Sequence, residues 1–326
     1  MAEDHPNPLV IIDEIQKVPL LMDVIQDLID RKVAQFILTG SSARKLKRGP
    51  QINLMPGRVI PMYMDPLNLI EILSNALNLE NILSFGSLPE IISTPNKRDK
   101  TELLNAYVSL YLEEEIRAEA LVRNLAAFSQ FLTLAANESG YAINYSKLSQ
   151  KIGVAHTTIA EYYQILVDCL VAHKIPAYTE SKSRHKLSQA NKYLFFDLGI
   201  RRIAAHEGEQ PDLKQQGHLF EQWVGLSLIQ LSRTSLNRIE LMYWKDHNGP
   251  EVDWLLKCQQ KLIPIEVKLT NQPSQHDARH LKLFLQEYAE SDIAYVVCQV
   301  TRKLKLSDGI YAIPWQDLAD IITVIS

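Results

Sequence analysis

Cysteine is scarce: the 326-residue chain has three, Cys169, Cys258 and Cys298, far apart and odd in number. No CxxC and no Cys/His pair stands at zinc-ligand spacing. That excludes a zinc-stapled or disulfide framework and points to a reducing cytoplasm, with all three expected as buried structural thiols. Long apolar runs are missing too. Nothing approaches the roughly 18–20 residues that span a bilayer. The start is acidic (Glu3, Asp4), without the charge pattern of a signal peptide. A soluble cytoplasmic protein with no membrane partner is expected. There is no internal repeat and no low-complexity tract. Excess positive charge is absent, since the formal net charge is -4. This excludes a surface that is basic all over, though not a local basic patch. Finally, no Gly-Lys dipeptide occurs anywhere. A GxxxxGK[ST] phosphate loop, with its converging backbone N–H groups and its lysine, is therefore not encoded in these residues.

What is present suffices for two or three domains with real cores, at 46% hydrophobic and 22% charged residues. Residues 1–95 alternate apolar runs with helical stretches. LVIID (9–13) and QFILTG (35–40) flank a helical pattern from Leu20 to Arg31. That is a β–α–β unit whose strands, apolar on both faces, fit a parallel sheet covered by helices. Both polar strand ends would lie at one sheet edge, where open α/β sheets bind ligands. Residues 96–207 read as largely helical. Tyr145–Ile152, the turn Gly153-Val154 and a second helix from His156 to Leu170 form a helix-turn-helix pattern. Leu148, Ile152 and Val154 can face Ile159, Leu166 and Leu170. Strands at Val171–Ala177 and Lys192–Asp197 enclose a Ser/Lys-rich loop that could be a wing. Residues 208–326 read as α/β: an amphipathic helix at Gly217–Leu231, then strands at Glu240–Trp244, Glu251–Leu256 and Leu262–Val267. A helix at Asp277–Tyr288 and an apolar strand at Ile293–Val300 follow.

Three constellations carry chemistry. Four apolar residues ending in Asp13-Glu14 suit nucleotide hydrolysis: the aspartate holds a magnesium that bridges phosphate oxygens, and the glutamate polarises the attacking water. The next strand ends in Thr39-Gly40-Ser41-Ser42, where a polar side chain could touch the γ-phosphate or that water. Taken alone, the same residues also read as a strand end capped by carboxylates. The second constellation is Asp253, Glu266 and Lys268, a D–x(12)–E–x–K pattern on neighbouring strands. Glu266 and Lys268, two apart, share a strand face. The carboxylates, with Glu221 on the preceding helix, could hold one or two divalent metals while the lysine orients water. The other reading is a residual charged network. The third is the helix from His156, which exposes His156, Thr157, Thr158, Glu161, Gln164 and Asp168. Lys182, Arg184, His185 and Lys186 lie in the presumed wing, with Arg201 and Arg202 beyond. These could meet bases and phosphates of DNA, or the module could bind protein. Tyr162, Tyr163, Phe195 and Phe196 are expected in the core.

The order of these motifs resembles a family of prokaryotic AAA+ ATPases with a helical, winged-helix-bearing middle and a C-terminal restriction-endonuclease-like domain. The resemblance is carried by LVIIDEIQKVP (9–19), FILTGSSARKL (36–46), GRV…PL…E (57–71), GSLPEI (86–91), KYLFFDLGI (192–200), GHLFEQWV (217–224), YWKDHNGPEVDW (243–254) and PIEVKLT (264–270). It implies a multidomain α/β protein: a partial AAA+ P-loop-type parallel sheet, a helical winged-helix region, and a PD-(D/E)xK domain of Holliday-junction-resolvase-like type. It makes Asp13 and Glu14 a Walker B pair and Thr39–Ser42 the sensor 1 position. Arg58, with Arg44 as the alternative, becomes the arginine finger. ATP and magnesium are the implied cofactors, and DNA, self-association or other proteins the implied partners. Because the Walker A segment is missing, the chain reads as a family member truncated at its N-terminus, unable to hydrolyse ATP alone and binding it weakly. A DNA-associated or assembly module is the first expectation, and a metal-dependent DNA nuclease the alternative.

Overall fold

The computed structural model describes residues 7–40, 57–72, 78–112, 124–180, 187–246 and 249–326. Near the start, β1 (Leu9–Ile12) and β2 (Gln35–Leu38) pair in parallel, with Leu9 opposite Gln35 and Ile12 opposite Leu38. They are joined through α1 (Leu21–Asp30). Met22, Ile25 and Ile29 recur at helical spacing on α1 and close a small core with Ile12, Ile15, Phe36 and Leu38. The β–α–β reading holds, but its two-sided cover does not. Among the described residues only the α1 face is packed. Leu9, Ile11 and Ile37 on the other face are 57%, 66% and 48% exposed.

The middle is helical: α2 (Leu79–Phe85), α3 (Pro89–Ser93), α4 (Lys97–Ala106), α5 (Leu125–Asn137), α6 (Tyr145–Ile152), α7 (His156–Asp168) and α8 (Leu198–Ala204). Asparagines mark the starts. The side chains of Asn78, Asn96, Asn124 and Asn144 each accept an N–H from the first turn of the following helix. Gly153 ends α6 in the left-handed conformation, φ 79°, which glycine adopts without a Cβ penalty. After α7, β3 (Ala172–Ile175) pairs antiparallel with β4 (Lys192–Phe195), Ile175 opposite Lys192.

Leu148, Ile159 and Leu166 share one core with Ile152 and Val154, as their spacing predicts. Leu170 departs from it. At φ 60° it turns the chain out of α7 and is 43% exposed. Tyr162, Tyr163 and Phe195 are buried, and Tyr163 stacks on Tyr193 at 4.1 Å between centroids.

The C-terminal third is a six-stranded sheet in the order β5-β6-β7-β8-β10-β9. Its strands are β5 (Glu240–Lys245), β6 (Glu251–Cys258), β7 (Lys261–Val267), β8 (Ala294–Cys298), β9 (Leu304–Ser307) and β10 (Ile310–Pro314). The pairs β7–β8 and β8–β10 are parallel, and the others antiparallel. One face packs on α9 (Leu213–Ser232) and α11 (Leu318–Ile325), the other on α10 (Arg279–Glu287). Cys258 and Cys298 are buried in these layers, whereas Cys169 is half-buried.

The amphipathic pattern expected for α9 gives way to burial on most sides, because a second face of the helix meets the middle region. His218, Glu221, Gln222 and Gly225 recur at i, i+3, i+4 and i+7. His218 hydrogen-bonds the Ser139 carbonyl at 2.9 Å and stacks on Tyr141 at 4.0 Å. Gln222 accepts from Ser139 Oγ at 2.7 Å, and a Cβ on Gly225 would stand 3.0 Å from Leu194 of β4.

Two of the motif stretches, GSLPEI and KYLFFDLGI, lock into each other. Asp197 caps α8 by accepting from Ile200 N at 3.0 Å and also accepts from Ser87 N at 2.7 Å. Gly86 and Gly199 let the two segments touch. A Cβ on Gly86 would lie 2.1 Å from Asp197 Oδ1, and one on Gly199 would lie 2.1 Å from the Phe85 carbonyl.

Candidate functional site

At the ends of β1 and β2 the parallel register brings Asp13 beside Thr39. Thr39 Oγ1 donates to Asp13 Oδ1 and accepts from Glu14 N at 3.2 Å. The backbone locks the pair, with Thr39 N donating to Ile12 O and Ile15 N to Thr39 O, each at 3.0 Å. Glu14 sits in the left-handed region at φ 55°, where the chain turns sharply off the strand, and Gln16 Nε2 donates to its carboxylate. Asp13 and Thr39 are exposed. A carboxylate and a hydroxyl open to water are the hard oxygen donors that magnesium takes while keeping most of its waters.

Arg58 is not part of this group. Its guanidinium grips Asp30 at 2.6 and 3.1 Å, at the opposite end of α1 from the Asp13 edge. Within one chain it does not converge with Asp13 and Glu14. Ser41 and the alternative Arg44 lie outside the described residues.

The second constellation assembles where β6 begins and β7 ends. Lys268 Nζ is 2.8 Å from Glu266 Oε2 and 3.7 Å from Asp253 Oδ2. Asp253 Oδ2 also accepts from Val267 N at 2.8 Å. Glu221 reaches the same region from α9, and Glu251 from β6. Between them lies Lys192, from β4 of the middle region. Its Nζ is 3.4 Å from Glu221 Oε1 and 3.0 Å from Glu251 Oε1. The Lys192 side chain is 4% exposed, with its ammonium over the rings of Tyr243 and Trp254 at 4.7 and 5.1 Å from their centroids. Burial and the neighbouring Glu221 and Glu266 carboxylates push Asp253 well above the usual carboxylate range. Burial opposes charge on Lys192, but Glu221, Glu251 and Asp253 outweigh it and hold the ammonium above its ordinary value. Lys268 is held up in the same way by Asp253 and Glu266.

Glu221, Asp253, Glu266 and Lys268 are thus brought to one place, and sequence reasoning missed Lys192 and Glu251. The ExD spacing of Glu251 and Asp253 on one strand was a usable signal. Lys192, 29 residues from Glu221 in sequence, offered none.

As a metal site the cluster fits poorly. One buried oxygen, Glu266 Oε1, has no hydrogen-bond partner, which is what a missing cation would leave. Against this, each acid is already engaged by an ammonium or an N–H. Among the described residues no three His, Cys, Asp or Glu side chains are disposed to hold a metal ion. Asp13, the remaining residue expected to bind metal, belongs to the separate β1–β2 edge.

On α7, His156 and Thr157 are exposed and Thr158 is half-buried, all in the first turn. Glu161 and Gln164 follow on the exposed side. Arg201 and Arg202 are not available to phosphates: they are 4% and 5% exposed, and donate to the Ala136 and Ser84 carbonyls. Lys182, Arg184, His185 and Lys186 lie outside the described residues. No helix among the described residues is long and apolar enough to cross a membrane.

Comparison with known proteins matches three stretches of the chain. Residues 1–73 match an AAA domain, 76–210 a domain of unknown function (DUF8612) and 216–318 a domain of unknown function (DUF4143). The chain is 25% identical over 309 residues to uncharacterized proteins of Mycobacterium tuberculosis (Rv2008c) and Mycobacterium bovis (Mb2031c). These alignments take in 94% of this chain and 68% of each relative. Among solved structures it is similar to protein VC1899 from Vibrio cholerae at 16% identity and a TM-score of 0.24, over 97% of this chain and 89% of that one. A TM-score so low carries no argument about fold. The AAA-domain match at the N-terminus and the DUF4143 match at the C-terminus support an AAA-like, ATPase-like family for this chain.

Proposed function

We propose that this chain is an ATPase-like assembly module that carries the metal-and-water half of a nucleotide site and associates with DNA through its helix-turn-helix region. The observation that carries the reading is the Asp13–Thr39 contact at the ends of two parallel strands, with Glu14 turned off the strand beside it. Asp13 would hold magnesium, which would supply positive charge to offset that of phosphate. Glu14 would orient the attacking water, and Thr39 keeps the Asp13 carboxylate aimed at the strand end. Ser41 adds a second hydroxyl in the same reading. Arg58, facing away from this edge, would act only on the site of a neighbouring copy.

The 326 residues contain no GxxxxGK[ST] loop, so the cradle of backbone N–H groups that such a loop offers phosphates is not encoded in them. Calorimetric titration with magnesium–ATP is expected to give a dissociation constant no tighter than about 1 mM. Micromolar binding would contradict the reading.

For DNA, His156, Thr157 and Thr158 form the helix-start contact, and Lys182, Arg184 and Lys186 the phosphate contacts. Charge reversal of the three (K182E/R184E/K186E) is expected to weaken binding to labelled duplex. It should also flatten the slope of log K against log salt by about 2–3. Unaltered binding and slope would remove DNA from the account.

The winged-helix assignment rests on the α6–turn–α7–β3–β4 order, and the restriction-endonuclease-like assignment on the mixed sheet with Asp253 and Glu266 on adjacent strands. Nuclease chemistry at Asp253, Glu266 and Lys268 is the weaker reading, because the ammonium groups already engage these acids. Magnesium- or manganese-dependent cleavage of branched or plain DNA, abolished by Asp253→Ala, would reverse that ranking.

A further inference from the structure

The carboxylate cluster of the C-terminal sheet is shared between two parts of the chain. Glu221, Glu251, Asp253 and Glu266 belong to α9, β6 and β7. The cation buried deepest among them, Lys192, comes from β4, whose partner strand β3 follows directly on α7. A buried ammonium is stable only where acids and hydrogen bonds replace its water. Lys192 has two carboxylates within 3.4 Å and two aromatic faces within 5.1 Å. Lys268 bridges the other two acids, and Lys245 holds the second oxygen of Glu251. Three ammonium groups therefore face four acids. The face of α9 that carries Glu221 also carries His218 and Gln222, which bind Ser139 and Tyr141 of the middle region. The contacts form one continuous seam.

We propose that Lys192 and Lys268 are the resident cations of this cluster, and that it is an ionic joint fastening the middle region to the C-terminal sheet, not a divalent-metal centre. The proposal is independent of the nucleotide reading, because it involves no residue of the β1–β2 edge. Lys192 positions its neighbours and carries out no chemistry.

The full chain decides the matter with manganese ion alone as probe, followed by electron paramagnetic resonance, together with thermal melts. The wild-type chain is expected to show no saturable manganese binding that Asp253→Asn removes. Lys192→Met keeps the volume, removes the charge and takes their shared cation from the half-buried Glu221 and Glu251, leaving Glu251 with Lys245 alone. Its melting temperature is expected to fall by roughly 10 °C. Neutralising both acids in that background (K192M/E221Q/E251Q) is expected to return most of the loss, since the defect is uncompensated charge. Saturable manganese binding by the wild-type chain that disappears in Asp253→Asn would overturn the proposal. So would a Lys192→Met melt equal to that of the wild type, or a triple variant no more stable than the single one. Should Lys192→Met not fold, the manganese titrations of the wild type and Asp253→Asn still decide.

Discussion

Replacing Gly86 by alanine is expected to destabilise the chain by about 3–5 kcal/mol, through a strained backbone and a steric collision together. Gly86 ends α2 at φ 76° and ψ -162°, a region almost closed to residues with a Cβ. The added methyl would also stand 2.1 Å from Asp197 Oδ1 and 2.2 Å from Oδ2. Asp197 cannot retreat, because it is 2% exposed and fixed by the N–H groups of Ser87 and Ile200. Urea denaturation followed by tryptophan fluorescence gives the number. Gly217→Ala is the matched control: it lies inside α9, a Cβ there meets nothing within 4 Å, and helix propensity favours alanine by about 1 kcal/mol. A Gly86→Ala midpoint equal to that of Gly217→Ala would refute the interlock between GSLPEI and KYLFFDLGI.

Asp197→Ala is expected to cost about 2–5 kcal/mol, because it leaves two buried backbone N–H groups without an acceptor. Asp197→Asn keeps an acceptor oxygen and should cost less. It also separates the hydrogen bonds from the charge. Burial pushes the Asp197 carboxyl up to about 6, against the Ser87, Ile200 and Gly199 N–H groups that pull it down. A carboxyl that binds its proton more tightly when folded adds stability at low pH. That contribution is complete below the unfolded value near 4 and is lost as pH rises to about 6. Stability of the wild type relative to Asp197→Asn should therefore fall by roughly 3 kcal/mol between pH 4 and pH 7, then level off. Parallel stability–pH curves for the two proteins would contradict the burial argument.

Elements set by local chemistry were legible in the sequence. The hydrophobic spacing of α1, the Gly153 stop of α6, and the apolar strands β7 and β8 all stand within a few residues of their expected places. The pairing of Asp13 with Thr39 followed from two parallel strands ending at one edge. Convergence of Glu266 and Lys268 followed from the two-residue period of a strand. What escaped depends on contacts between distant segments. Lys192 read as the polar start of a strand, because nothing local says that two acids from α9 and β6 will close over it. Arg201 and Arg202 read as a basic pair beyond a wing. Instead they are spent on the Ala136 and Ser84 carbonyls inside the middle region. LVII and QFIL implied burial on both faces, but a run of apolar residues does not say which cover is present. In this structure α1 covers one face of that strand pair.

The proposed role of these 326 residues is the metal-and-water half of a nucleotide site without a GxxxxGK[ST] loop. It is tested most directly by steady-state ATP hydrolysis with magnesium, comparing the purified chain with its Glu14→Gln variant. The two are expected to be indistinguishable, each at the no-protein background. Turnover by the wild-type chain that disappears in Glu14→Gln would contradict it.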